Sequence, residues 1–338
     1  MDATPRSHSF AAARRRPLAL LLAGLLAPGA ALASPESDAL LAQVPADTAY
    51  LLFSDGSLPE VVRRAQWQRA ALQLQLARAA LDAPTPVPEG KQAAPPADDR
   101  LKRGLLDAML AAVERGDGDL PAGLGFAATD PWVVYADGLL PVARARVSRP
   151  DAVRAFIAEL AERSGEPWTR EQVGEAEVWF TDEDTPDARG HLLVALEGDR
   201  LVAGVVPRRG RAAAIRRLLD DAPARAPFAG SERLAALQGA LGITTTVVFD
   251  IDSARIVEQL SAEPDARSRA LFDIDAPVIE ANCVEDARRL ARAWPGLSGG
   301  YVSIEGQQAS SVGLLRTGPS IASRASARAL TVGRPFAA

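Results

Sequence analysis

Cysteine and histidine are nearly missing from this 338-residue chain. Cys283 is the single cysteine, and the two histidines are His8 and His191. One cysteine excludes any intrachain disulfide, even in an oxidising compartment. So few sulfur and imidazole groups leave no set for a Cys/His zinc site, a paired-histidine acid/base site or a Cys-His dyad with a spare partner. No glycine-rich phosphate loop occurs in the sequence. No cofactor and no metal ion is therefore expected. An excess of basic charge is also lacking, since the formal net charge is −5. That balance argues against a nucleic-acid footprint and against docking on anionic lipid.

The N-terminus has the three-part plan of a secretory signal. Arg6 and the run Arg14-Arg15-Arg16 precede an apolar stretch from Leu18 to Leu26, and Ala31-Leu32-Ala33 supplies the small-residue cleavage site. Gly24, Pro28 and Gly29 interrupt the stretch, which is about half the ~20 residues a membrane-spanning helix needs. Residues 1–33 are read as a Sec-type signal peptide cleaved after Ala33, leaving no stable membrane anchor and a periplasmic location. No cysteine follows the apolar run, and Pro17 and Ala19 depart from the twin-arginine pattern. Cleavage removes four arginines, one aspartate and His8, so the formal charge of the remaining 305 residues becomes −8.

Periodicity in the rest of the chain predicts an α+β fold, with antiparallel or mixed sheets flanked by helices. An apolar run at Tyr50–Phe53 reads as a buried strand, and Pro59 opens a helix to Leu81 with Val62, Trp67, Leu72, Leu74 and Leu76 as its apolar residues. Residues 82–99 carry five prolines and read as a solvated, mobile insertion. A helix over 100–114 follows, then a hairpin of 132–136 and 142–147 about Asp137-Gly138, then a helix over 151–163. Strands at 176–181, 192–196 and 201–206 and short helices at 211–219 and 231–241 complete a unit spanning 34–242.

At Thr244 the pattern starts again. Thr245 to Ser253 overlays Ala49 to Ser57 with Phe249 on Phe53 and Ser253 on Ser57, and a helix at 284–294 precedes a strand near Gly300–Gly306. Residues 243–306 are thus expected to form an incomplete second repeat. The remaining 307–338 are rich in Ser, Ala and Arg and do not read as strands; they are either a disordered basic tail or the product of a truncated or out-of-frame end.

The opening Val44-Pro45-Ala46-Asp47-Thr48-Ala49-Tyr50, the string Tyr135-Ala136-Asp137-Gly138-Leu139-Leu140-Pro141-Val142, Cys283, and Trp294-Pro295-Gly296 through Gly300-Tyr301 resemble a family of proteobacterial envelope proteins with a domain of unknown function. The resemblance covers roughly residues 40–306 and rests on turn and strand patterns. It implies an envelope location and a pattern that continues past residue 306, and it carries no assigned activity.

Candidate chemistry is sparse. Asp182, Glu183, Asp184 and Asp187 form an acidic loop without the glycine and distal glutamate of an EF-hand, and Asp117 and Asp119 read as turn residues. Asp250 and Asp252, at a strand end, are the least poor catalytic carboxylates, although Asp252-Ser253 also reads as a helix cap, and Asp273 and Asp275 repeat the string. His191 is expected on the surface, and Cys283 as a buried structural thiol. The expected function is a non-catalytic periplasmic protein that binds an envelope component or another protein; the alternative is a carboxylate-dependent hydrolase.

Overall fold

The computed structural model describes residues 35–82, 97–181, 190–220, 222–243, 246–263, 269, 277–305 and 308–316. The acidic loop at 182–187, Asp273, Asp275, the signal segment and nearly all of the proline-rich stretch lie outside them, as do residues 317–338.

Among the described residues the chain forms nine helices and one ten-stranded sheet, which is an α+β fold. In chain order the elements are α1 (Pro35–Ala42), β1 (Tyr50–Ser54), α2 (Glu60–Asp82), α3 (Ala97–Arg115), α4 (Leu120–Leu124), β2 (Trp132–Asp137), β3 (Leu140–Arg146) and α5 (Pro150–Ser164). There follow β4 (Trp168–Val173), β5 (Ala176–Thr181), β6 (Gly190–Glu197), β7 (Arg200–Pro207), α6 (Arg211–Leu219), α7 (Glu232–Leu241), β8 (Val247–Asp252), α8 (Ser253–Ser261), α9 (Val284–Ala293), β9 (Gly296–Glu305) and β10 (Gln308–Arg316). The strand order is β10-β9-β8-β1-β2-β3-β7-β6-β5-β4. Every neighbouring pair is antiparallel.

Alternation along the strands divides the apolar residues between two faces. One face carries Leu51, Phe53, Val133, Tyr135, Val142, Val178, Phe180, Leu193 and Val248, packed with Ile215 and Leu218 of α6, Leu234 and Leu237 of α7, and Phe228. A second cluster joins α2, α3 and α5, where Trp67, Ala70 and Leu74 recur at helical spacing against Leu105, Ala108, Met109, Ala112 and Leu160. Leu72 and Leu76, expected in that apolar stripe, are exposed on the far side of α2.

Strand β1 meets β8 in the middle of the sheet, with Phe53 opposite Val248 and Leu52 opposite Phe249. Cross-strand partners share a face, so Phe53 and Phe249 point to opposite faces and the expected overlay of these two residues is out of register. The Phe249 ring instead lies over a row of glycines. Phe249 pairs with Gly299 and Gly299 with Gly313, so an aromatic ring covers backbone that carries no side chains of its own.

Two further expectations change. Residues 308–316, assigned to the tail, form β10, whose pairing with β9 runs from Gln308 to Arg316. Strand β4 was not foreseen, because Thr-Arg-Glu-Gln between Trp168 and Val173 has the polarity of a loop; it is the sheet's outer edge, where charge is tolerated.

A Cβ at position 299 would stand 2.5 Å from the Phe249 ring and 2.4 Å from the Val312 carbonyl oxygen. Gly299→Ala should therefore overpack β9 and lower the unfolding free energy by about 2 kcal/mol, read from urea transitions.

Candidate functional site

The two sequence-predicted carboxylates have different surroundings. Asp252 ends β8 and accepts hydrogen bonds from the backbone N–H of Ala254 (3.0 Å) and Arg255 (3.1 Å), capping α8. Asp250, two residues earlier, is fully buried. Arg233 of α7 donates to its Oδ2 at 2.7 Å, and Arg316, the last residue of β10, donates to its Oδ1 at 3.0 Å. The Ser298 hydroxyl of β9 donates to the same Oδ1. Arg233 also donates to the Thr48 carbonyl at 2.6 Å and sits over the Phe228 ring, and Arg316 donates to the Ile251 carbonyl at 2.9 Å. Both oxygens of this carboxylate are engaged by groups of the chain itself, which leaves neither free for a substrate.

The remaining candidates also differ from expectation. His191 is 2% exposed, not on the surface: it faces inward from β6, its ring meets Phe180 edge-on, and Nδ1–H donates to the Thr181 carbonyl. Cys283 is exposed rather than buried, because it stands outside the first turn of α9. Asp119 caps α4 through Ala122 N–H, and Asp117 takes a left-handed backbone (φ 51°) in the preceding turn.

A different carboxylate belongs to a residue that lines a cleft. A cleft of about 330 Å³ lies where the ends of several strands meet the first turn of α1. Glu36 contributes from α1, Asp55, Gly56 and Ser57 from the turn after β1, Thr129, Asp130 and Pro131 from the loop before β2, Arg146 from the end of β3, and Asp199 from the β6–β7 turn. Most of these polar groups are occupied. Arg146 pairs with Asp199, and Asp130 accepts from Ser148 N–H at 2.9 Å and from the Ser148 hydroxyl at 2.7 Å.

Asp55 is only half satisfied. Its Oδ1 accepts from Ser57 N–H (2.9 Å) and the Ser57 hydroxyl (2.6 Å), while Oδ2 is buried and has no hydrogen-bond partner. The residue is 6% exposed. The Thr246 hydroxyl stands near enough to add a small pull on the pKa but outside hydrogen-bonding geometry, and the Thr246 carbonyl takes the Asp55 N–H at 2.9 Å. Burial raises the Asp55 pKa, and the two Ser57 hydrogen bonds oppose it.

Gly56 holds the cleft's wall together. It has φ 81°, and a Cβ there would lie 2.5 Å from the Thr129 carbonyl carbon, so the β1 turn and the 129–131 loop touch backbone to backbone. Sequence reading missed this site because Ser54-Asp55-Gly56-Ser57 has the composition of an ordinary turn. The available signal was an aspartate directly after an apolar strand, the same signal that drew attention to Asp250.

Among the described residues no three His, Cys, Asp or Glu are gathered closely enough to hold a metal ion, and no helix is long and apolar enough to cross a membrane. No family model matches the chain, and neither does any curated protein or solved structure.

Two outcomes test this account of the carboxylates. Asp250→Asn leaves Arg233 and Arg316 facing a neutral amide and should cost about 3 kcal/mol of unfolding free energy, measured by urea titration. For Asp55, the raised pKa means that between the ordinary aspartate value of about 4 and the raised one the folded state holds more proton than the unfolded state. Its contribution to stability therefore falls as pH rises through that window. Asp55→Asn lacks the group, so its stability relative to wild type should grow with pH across the window and then level off.

Proposed function

We propose that this is a non-catalytic, exported binding protein whose strand-end cleft takes a small ligand presenting a primary ammonium group. The observation that supports this reading is Asp55, whose Oδ2 is buried without a hydrogen-bond partner and which lines a cleft holding four carboxylates and one guanidinium. An ammonium donor placed there would satisfy the orphaned oxygen and offset the excess negative charge. The cleft is the size of a small-molecule site, and an amino sugar or a short diamine fits its scale.

Export rests on the arginine-flanked apolar stretch and the Ala31-Leu32-Ala33 site, and a periplasmic location follows from it. The non-catalytic reading rests on the employment of the titratable groups: Asp250 is surrounded by cations, Asp252 caps a helix and His191 is held inside the sheet. An envelope component with free amines is the ligand class that suits both the cleft and the compartment. Strands β8–β10 with α8 and α9 are read as an incomplete second copy of β1–β3 with α2 and α3, offset from the register that would align Phe53 with Phe249.

Calorimetric titration with glucosamine and putrescine tests the assignment, with N-acetylglucosamine as the probe lacking an ammonium. Both amines should bind, more tightly as pH rises and Asp55 ionises, and Asp55→Asn should weaken binding about tenfold or more. Equal binding of the acetylated sugar, or undiminished binding by the variant, would sink the proposal, as would the absence of binding by either amine.

A further inference from the structure

The two outer strands of the sheet are built differently. Edge strand β4 carries Arg170, Glu171 and Gln172, the charged and polar residues that discourage edge-to-edge pairing. Edge strand β10 reads Gln-Ala-Ser-Ser-Val-Gly-Leu-Leu-Arg, and its one charge, Arg316, is drawn to the buried Asp250. A nine-residue edge without such protection is a template for another strand.

The helix layer beside it is equally bare. In the β1–β3 half, the outer side of β3 is taken by β7 and helix α5 packs on α3. In the β8–β10 half, no described strand pairs with the outer side of β10, and of helix α9 only Ala291 is buried. Among the described residues nine large apolar side chains are exposed, and six of them fall between residues 278 and 315. Leu290 and Trp294 lie one turn apart at the end of α9, and Leu297 pairs in register with Leu315.

We infer that this face is a homodimer interface, formed by β10 pairing antiparallel with β10 of a second copy while the two α9 helices meet over the joined sheet. Two observations select a second copy as the occupant. First, α9 is acidic in its first turn, with Glu285 and Asp286, and basic after it, with Arg288, Arg289 and Arg292. A two-fold axis runs the helices antiparallel, so each acidic turn meets the partner's basic one. Second, antiparallel β10–β10 pairing continues the pattern of all nine existing ladders and keeps both helix layers on one side.

Sedimentation velocity on the mature full-length chain tests the inference. A dimer is expected at about 10 μM protein, the range in which an interface of ordinary size is populated. The Leu290→Lys/Leu315→Lys double variant alters two exposed side chains, so its melting temperature should stay near that of the wild type while dimerisation weakens about 100-fold. Hydrogen exchange supplies a second readout: β10 amides should be protected in the wild type at high concentration and lose protection in the double variant. A wild-type chain that stays monomeric overturns the inference, whether its β10 amides are open or are protected by the chain's own residues 317–338. A dimer that the double variant leaves intact overturns it as well.

Discussion

A single carboxylate, that of Asp250, fixes how the second half of this sheet meets the first. Withdrawn from water, it persists only because two guanidiniums and a hydroxyl replace its hydration, and each of those groups comes from a different element. Arg233 brings α7, Ser298 brings β9, and Arg316 brings the end of β10. Arg233 also takes the Thr48 carbonyl just before β1, so the same cation that neutralises β8 holds the entry to the strand paired with it. Apolar burial alone sets no such register, because a slip of two residues along β8 keeps its apolar face inward. The charge does not tolerate that slip.

What the sequence showed follows from which physical signals are local. Apolar alternation located β1, β2, β3 and β5 to β7, and helical spacing located α3, α5 and α7, because each pattern is set by the element's own period. The misses have one cause, since each depends on what lies across from a residue. The polar residues of β4 form a strand because β5 offers a ladder, and β10 is a strand because β9 does. His191 is buried because the neighbouring strand β5 sets Phe180 and the Thr181 carbonyl against its ring. A lone cysteine in front of a helix carries no information about burial, and Cys283 is exposed.

The candidate site shows the same division in sharper form. Aspartate at a strand end was readable at 250 and 252, but its meaning was not. Asp252 lies where β8 gives way to α8 and finds two backbone N–H groups, whereas Asp250 lies inside the ladder and finds cations from three-dimensional neighbours. Asp55 was hidden in a turn composition, and its significance depends on Gly56 pressing against Thr129, which no pattern in residues 54–57 announces.

Asp55 and Asp250 belong to the same pair of strands. Strand β1 runs into Asp55 where Thr246 leads into β8, and the ladder between them places Asp250 opposite Leu51, toward the other end of β1. One end of this central ladder is closed by a carboxylate whose lone pairs are taken by the chain itself. The other is left with a buried, unpaired oxygen on a residue that lines a cleft, an arrangement costing about 1–3 kcal/mol that further hydrogen bonds within the turn would have removed. Protein stability alone favours closing both ends in the same way. That the unsaturated carboxylate belongs to a cleft-lining residue, while the saturated one lies inside the ladder, is the asymmetry expected when the missing partner comes from outside the chain.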